Sequence, residues 1–238
     1  IAVGLIAGIL MAFSASNILW SQVGRGYSLT ICLSLAVIFF TLKGEDDFSR
    51  WSWRCGLALS GLAMVLTLPS NVYFLVGCAV AFLVRFQAAT KKKTSYLKDK
   101  AKSLVPWAVL FSLVLIYFLL NLSDLQRGVK MYKEFARLQE GLENLAFTPA
   151  RIIGMFENLI SPWGIWAYSL LFIGLGGLKN ERVLQLFLML IIPIGFALSA
   201  GILGPSRSYV YWLPLVLILI ANGIMILSRV LNTWFKWS

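Results

Sequence analysis

The chain has 238 residues, of which 59% are hydrophobic and only 13% charged, with a mean hydropathy of +0.81. A soluble domain averages about 45–50% apolar and about 25% charged residues, so this composition excludes soluble, disordered, fibrous and coiled-coil classes and predicts an all-α, polytopic membrane protein. The formal charge is +11 and histidine is absent, which removes Ser-His-Asp triads, Cys-His nucleophiles, imidazole metal cages and histidine proton relays.

The chain opens on Ile1 rather than Met, and no basic stretch precedes the first apolar run. It therefore does not read as a signal peptide. The first residue falls inside a predicted helix, so the sequence reads as processed, or as the later part of a longer membrane domain. A bilayer-crossing helix needs about 20 mostly apolar residues. On that basis eight spans are expected, at 1–20, 27–43, 52–69, 71–90, 104–122, 161–178, 183–202 and 209–229. Pro69 and Asn71 mark a tight turn between the third and fourth. Cys32, Cys55 and Cys78 lie in or at the ends of apolar runs with no CxxC spacing. They read as small packing residues, not as a disulfide frame or metal site.

Eight spans place alternate loops on opposite sides. One side, with the loops 43–51 and 91–103, the 179–182 turn and the C-terminal tail, carries fourteen basic residues, counting Arg54 and Arg85 at adjoining helix ends, against seven on the other. Each side has five acids, so the nets are +9 and +2. The excess places the first side in the cytoplasm of a cell inner (plasma) membrane. Lys91-Lys92-Lys93 then reads as a topology anchor beside anionic headgroups, with no nucleic-acid partner implied.

The opposite, outer side holds a tight loop at 14–26, a long segment at 123–160 and a short loop at 203–208. In the long segment Val129, Tyr132, Phe135, Leu138, Leu142 and Leu145 recur every three or four residues among charged ones. This predicts an amphipathic helix lying in the interface. Thr148-Pro149 restarts the chain, and Ile152 to Ile160 is apolar again before Ser161-Pro162-Trp163, as in a second interfacial or re-entrant helix. A membrane-resting connector without chemistry fits this segment equally well. No Asp or Glu stands in the middle of a span, which argues against an ion-coupled transporter or proton pump.

The densest polar signal is Trp20-Ser21-Gln22-Val23-Gly24-Arg25-Gly26-Tyr27-Ser28, in the first outer loop. Arg25 has no acid in its own loop, and a guanidinium forks naturally onto phosphate oxygens. Chemistry alone leaves a second reading open, an interfacial Arg flanked by Trp20 and Tyr27 as belt residues.

The stretch Ser14 to Leu29 resembles a segment of the GT-C membrane glycosyltransferases. The relevant group includes the dolichyl-phosphate-mannose protein mannosyltransferases and the lipid A aminoarabinose transferase. In that family the segment commonly reads Tyr-Ser-Gln-Glu-Ala-Arg-x-Tyr-Ser/Ala-Leu, followed by a span with a basic end, here Leu29 to Phe40 with Lys43. Pro205-Ser206-Arg207-Ser208-Tyr209-Val210-Tyr211-Trp212-Leu213-Pro214 is similar to the family's later Arg-x-x-Tyr-x-x-Pro stretch. The hairpin at 52–90 and its basic loop match in order and sidedness. About 25 residues carry the motifs, the first specific and the second loose. Trp20, Val23 and Gly24 depart from the usual Tyr, Glu and Ala, and the loss of the acid at 23 removes a local Arg-carboxylate pair.

The resemblance implies a single transmembrane domain over 1–238, with the amphipathic segment 123–160 on its outer face. It further implies a transferase that moves a hexosyl or pentosyl group from a polyprenyl-phosphate donor to an acceptor hydroxyl, with inversion. In relatives the catalytic acid stands on the first outer loop, so the resemblance puts the general base upstream of Ile1. Arg25 and Arg207 are then the candidates for holding the lipid phosphate, with Tyr27, Gln22 and Tyr209 as hydrogen-bond donors beside them. Glu143 and Glu157 are candidate substitute acids, against a plain surface role. No metal site is visible, although a Mg or Mn ion would need only carboxylates and phosphate oxygens. The expected partners are the lipid-linked donor, membrane lipids, an acceptor that is protein, lipid or glycan, and further chains of a membrane complex. The alternatives are a non-catalytic subunit descended from such an enzyme, or a lipid-linked glycan flippase or polymerase.

Overall fold

The computed structural model describes residues 2–22, 26–46, 51–90, 97–140, 149–199 and 206–235. Among these the chain is α-helical, with no strand. The helices are α1 (Ala2–Phe13), α2 (Ala15–Gln22), α3 (Tyr27–Asp46), α4 (Trp51–Thr67), α5 (Val72–Thr90), α6 (Leu97–Leu120), α7 (Leu122–Glu140), α8 (Pro149–Ile160), α9 (Gly164–Gly176), α10 (Asn180–Ser199) and α11 (Leu213–Phe235). Short 3₁₀ segments, Pro69–Asn71 and Ser206–Trp212, precede α5 and α11.

Each predicted span is matched by helix, but among the described residues few helices are both long and apolar enough to cross a membrane. Ser208–Trp234 is long and apolar enough to cross a membrane. Two further pairs qualify only if each is taken as one bent span: Leu104–Leu120 with Leu122–Met131, bent by 72°, and Ile152–Ile160 with Gly164–Gly176, bent by 95°. Ala2–Phe13, Tyr27–Lys43, Pro69–Arg85 and Arg182–Phe196 are apolar but shorter.

The expected span at 1–20 is broken, and the Ser14-Ala15-Ser16-Asn17 cluster is the reason. Buried Ser14 accepts the Asn17 N–H at 3.3 Å, and the Asn17 amide donates back to Met11 O at 3.1 Å. Such side chains compete with the helix for its own backbone bonds, ending α1 and capping α2. At 12 residues α1 is about 18 Å long, short of a hydrocarbon core of about 30 Å.

The helices pair where small residues permit close approach, as expected of helices in lipid. Gly174 of α9 and Gly223 of α11 face each other's backbones. A Cβ on Gly174 would overlap Leu219 O and lie 3.0 Å from Gly223 N, while one on Gly223 would overlap Leu170 O. Gly77 of α5 brings that backbone against α10, with Met189 Cα 3.3 Å from where a Cβ would stand. Gly61 of α4 receives Leu110 of α6, and Gly56 receives Phe40 of α3.

Several buried hydroxyls are satisfied within their own helices. Ser34 donates to Ile31 O at 2.8 Å, Thr41 to Val37 O at 2.7 Å and Ser60 to Gly56 O at 2.6 Å. This lets a hydroxyl sit in an apolar core without the cost of an unmade bond. Large apolar side chains stay exposed on nearly every helix, among them Leu5, Phe13, Leu59, Leu115, Phe172, Phe187 and Trp234.

The long segment predicted at 123–160 divides in two. Residues 141–148, including the expected stripe members Leu142 and Leu145 and the candidate acid Glu143, lie outside the described residues. Amphipathic α7 leaves the end of α6 with its first turns almost wholly exposed. Amphipathic α8 instead packs on the bundle. Met155, Leu159 and Ile160 are buried and Ile152 and Phe156 half-buried, while Glu157 and Asn158 face outward. That spacing is the apolar stripe of an amphipathic helix packed on a core.

Candidate functional site

One end of the bundle gathers the α1–α2 corner, the start of α3, the α4–α5 turn, the α8–α9 elbow and the Ser206–Trp212 segment. Both stretches that carry the family resemblance are in this group.

The first of them turns at Gly26. Its φ of +76° is left-handed, and a Cβ there would meet Thr67 Cγ2 at 2.7 Å. Glycine is thus required by both conformation and space. The Thr30 N–H donates to Gly26 O at 2.9 Å, opening α3, with Tyr27 buried beside it at 6% exposure. Asn71 ties this turn to the α4–α5 hairpin. Its amide donates to Met64 O at 2.8 Å and to Thr30 Oγ1 at 3.3 Å. Its Oδ1 is buried without a partner among the described residues.

The second stretch is an aromatic knot. Tyr211 packs on Phe74 with ring centroids 4.9 Å apart, Tyr209 on Trp212 at 4.9 Å, and Trp212 stacks on Phe156 of α8 at 5.5 Å. The Trp212 indole N–H donates to Met189 O at 3.3 Å. In a regular helix that carbonyl would accept from residue 193, but Pro193 has no N–H to give. The indole supplies the missing donor. The segment as a whole rests on α3, α8, α11 and the Pro69–Asn71 turn.

Tyr27 and Tyr209 therefore belong to one buried core that joins the two stretches. Gln22, at the end of α2, is exposed. Arg25 lies outside the described residues; so does the side chain of Arg207, whose backbone stands in the second turn-like segment. No family model and no solved structure matches this chain. Among the described residues there is no group of three or more Cys, Asp or Glu side chains that could hold a metal ion.

Sequence reading named Glu157 but missed what surrounds it. The right-angled elbow between α8 and α9 opens a cleft of about 430 Å³ lined by Glu157, Ile160, Ser161, Pro162, Gly164, Ile165 and Tyr168. Gly164, at φ +54°, has open space where a Cβ would be. The Tyr168 hydroxyl oxygen is covered yet has no hydrogen-bond partner among the described residues, and Glu157 is close enough for its charge to act on that phenol. The cleft wall is bonded to the start of the first stretch: Ser16 Oγ donates to Asn158 O, and the Ala15 N–H to Ser161 O at 3.3 Å. A lone acid one turn before a Ser-Pro helix break was the available sequence signal. Tyr168, inside an apolar run, gave none.

Proposed function

We propose that the protein is a multi-pass membrane glycosyltransferase that passes a sugar from a polyprenyl-phosphate donor to an acceptor hydroxyl on the outer membrane face. In this reading the eight apolar segments all lie in the bilayer of a plasma membrane, the shorter ones as parts of an assembled bundle, with the basic loops cytoplasmic. Exposed apolar faces on nearly every helix support lipid as the surrounding medium. Arg25 and Arg207 hold the departing phosphate, since paired guanidinium groups stabilise developing oxyanion charge. Gln22 ends α2, and Tyr27 and Tyr209, each two residues after one of the arginines in sequence, are buried.

The observation that carries this reading is the packing of the Ser206–Trp212 segment against α3 and the Pro69–Asn71 turn. It draws together stretches about 180 residues apart in sequence, which are the two that resemble the family's donor-binding motifs. The test is native mass spectrometry of the detergent-purified protein, combined with release of polyprenyl phosphate from a labelled polyprenyl-phosphate-sugar donor. The expected result is a polyprenyl-phosphate adduct, with retention falling at least about tenfold in Arg25→Ala and in Arg207→Ala, as for loss of one charge-assisted bond. Absence of both adduct and donor turnover, or arginine variants that match the wild type, would overturn it.

A further inference from the structure

The α8–α9 cleft sits between the two donor-motif stretches without belonging to either. Phe156 stacks on Trp212 of the later stretch, and the Asn158 carbonyl accepts from Ser16 of the earlier one. Glu157 is the residue between them, and it points outward into the cleft. Its neighbours in sequence are fixed on both sides, so the carboxylate is held at a defined place although it is exposed. No ion pair joins it to another described residue. Its companion is Tyr168, whose hydroxyl is covered and makes no hydrogen bond among the described residues.

These features fit an uncharged, hydroxyl-rich ligand. A carboxylate accepts from one or two neighbouring hydroxyls, and a phenol both donates and accepts. The remaining wall of Ile160, Ser161, Pro162, Gly164 and Ile165 is apolar apart from Ser161, which suits a ring's C–H face. A volume of about 430 Å³ lies in the range of small-ligand sites. A phosphate or other anion would meet the charge of Glu157 and be repelled.

We infer that this cleft binds a pyranose or similar polyol, with Glu157 accepting from a ring hydroxyl and Tyr168, once its covered hydroxyl turns into the cleft, donating to its neighbour. Calling that bound group the acceptor of the transfer rests on the proposed function; the binding site itself does not. The cleft would then hold the acceptor hydroxyls beside the stretches that hold the donor.

The test is saturation-transfer NMR of the full chain in phosphatidylcholine nanodiscs with methyl glycosides of glucose, galactose, mannose and N-acetylglucosamine. At least one glycoside should bind. Glu157→Gln should weaken it about tenfold and Tyr168→Phe by a smaller factor, while Glu134→Gln on exposed α7 leaves it unchanged. Failure of all four glycosides to bind, or binding that Glu157→Gln leaves intact, would overturn the inference. Polyprenyl-phosphate retention, measured on the same preparations, separates the two proposals. Glycoside binding without lipid retention keeps the cleft and removes the donor reading; lipid retention without glycoside binding does the reverse.

Discussion

Replacing Gly223 with alanine adds one methyl group at the close crossing of α9 and α11. That Cβ would lie 2.8 Å from the Leu170 carbonyl carbon and overlap its oxygen. Both are backbone atoms, so no rotamer change makes room. The oxygen is nearer than the carbon, so α9 and α11 must part by clearly more than the roughly 0.6 Å that would bring the carbon alone to ordinary contact at 3.4 Å. The Asn222 amide donates to Gly174 O at 2.9 Å across this crossing, and the same movement takes that bond beyond hydrogen-bond range. Overpacking of this kind costs about 1–3 kcal/mol. The lost bond adds about 1 kcal/mol. Alanine's better helix propensity returns about 1 kcal/mol. The expected net loss is about 1–3 kcal/mol, or about 3–10 °C in Tm for a chain of this length. Gly4→Ala and Gly8→Ala are the internal controls, because nothing lies within 4 Å of either added Cβ. They keep the propensity gain and should be neutral or slightly stabilising. Thermal unfolding in one detergent, followed by circular dichroism, checks all three. A Gly223→Ala protein as stable as Gly4→Ala would refute the close crossing of α9 and α11.

Two further substitutions probe the candidate site's supports. Trp212→Phe leaves the Met189 carbonyl without its donor and should cost about 1–3 kcal/mol, whereas the same change in a Pro193→Ala background, where a helical N–H returns, should cost about 1 kcal/mol less. Strict additivity in that double-mutant cycle would exclude the indole-to-carbonyl bond as the compensation for Pro193. Asn71→Ala removes the amide that joins the α4–α5 turn to Met64 and Thr30, and should destabilise by about 2 kcal/mol, read as a lowered Tm. An unchanged Tm would mean that the buried amide does not hold this end of the bundle together.

Much of the helical layout is legible in the sequence, because apolar run length and the turn residues Pro69 and Asn71 act locally. The amphipathic stripe of α8 is equally readable from the spacing of Ile152, Met155, Phe156 and Leu159. The break at Ser14 falls where the outer loop at 14–26 is expected to start, but the apolar count carries the first span on to residue 20, since such a count does not register a hydroxyl and an amide that bond their own backbone. For the site, the polar stretch around Arg25 and the later one around Arg207 stand out as strings. Their adjacency does not, because it depends on Asn71 reaching Thr30 and on Trp212 reaching both Met189 and Phe156.

Composition by itself decided the class, an all-helical chain too apolar for a soluble fold, since the balance between water and lipid is summed over residues regardless of their order. Local order then decided where helices start and stop. Only the tertiary structure decided which helices meet, because a close crossing needs glycines from distant segments, such as Gly174 and Gly223, to coincide in space. It alone also turned Glu157 from one acid among ten into the lip of a cleft, because the apolar face of α8 and the elbow at Ser161-Pro162 hold that carboxylate opposite Tyr168.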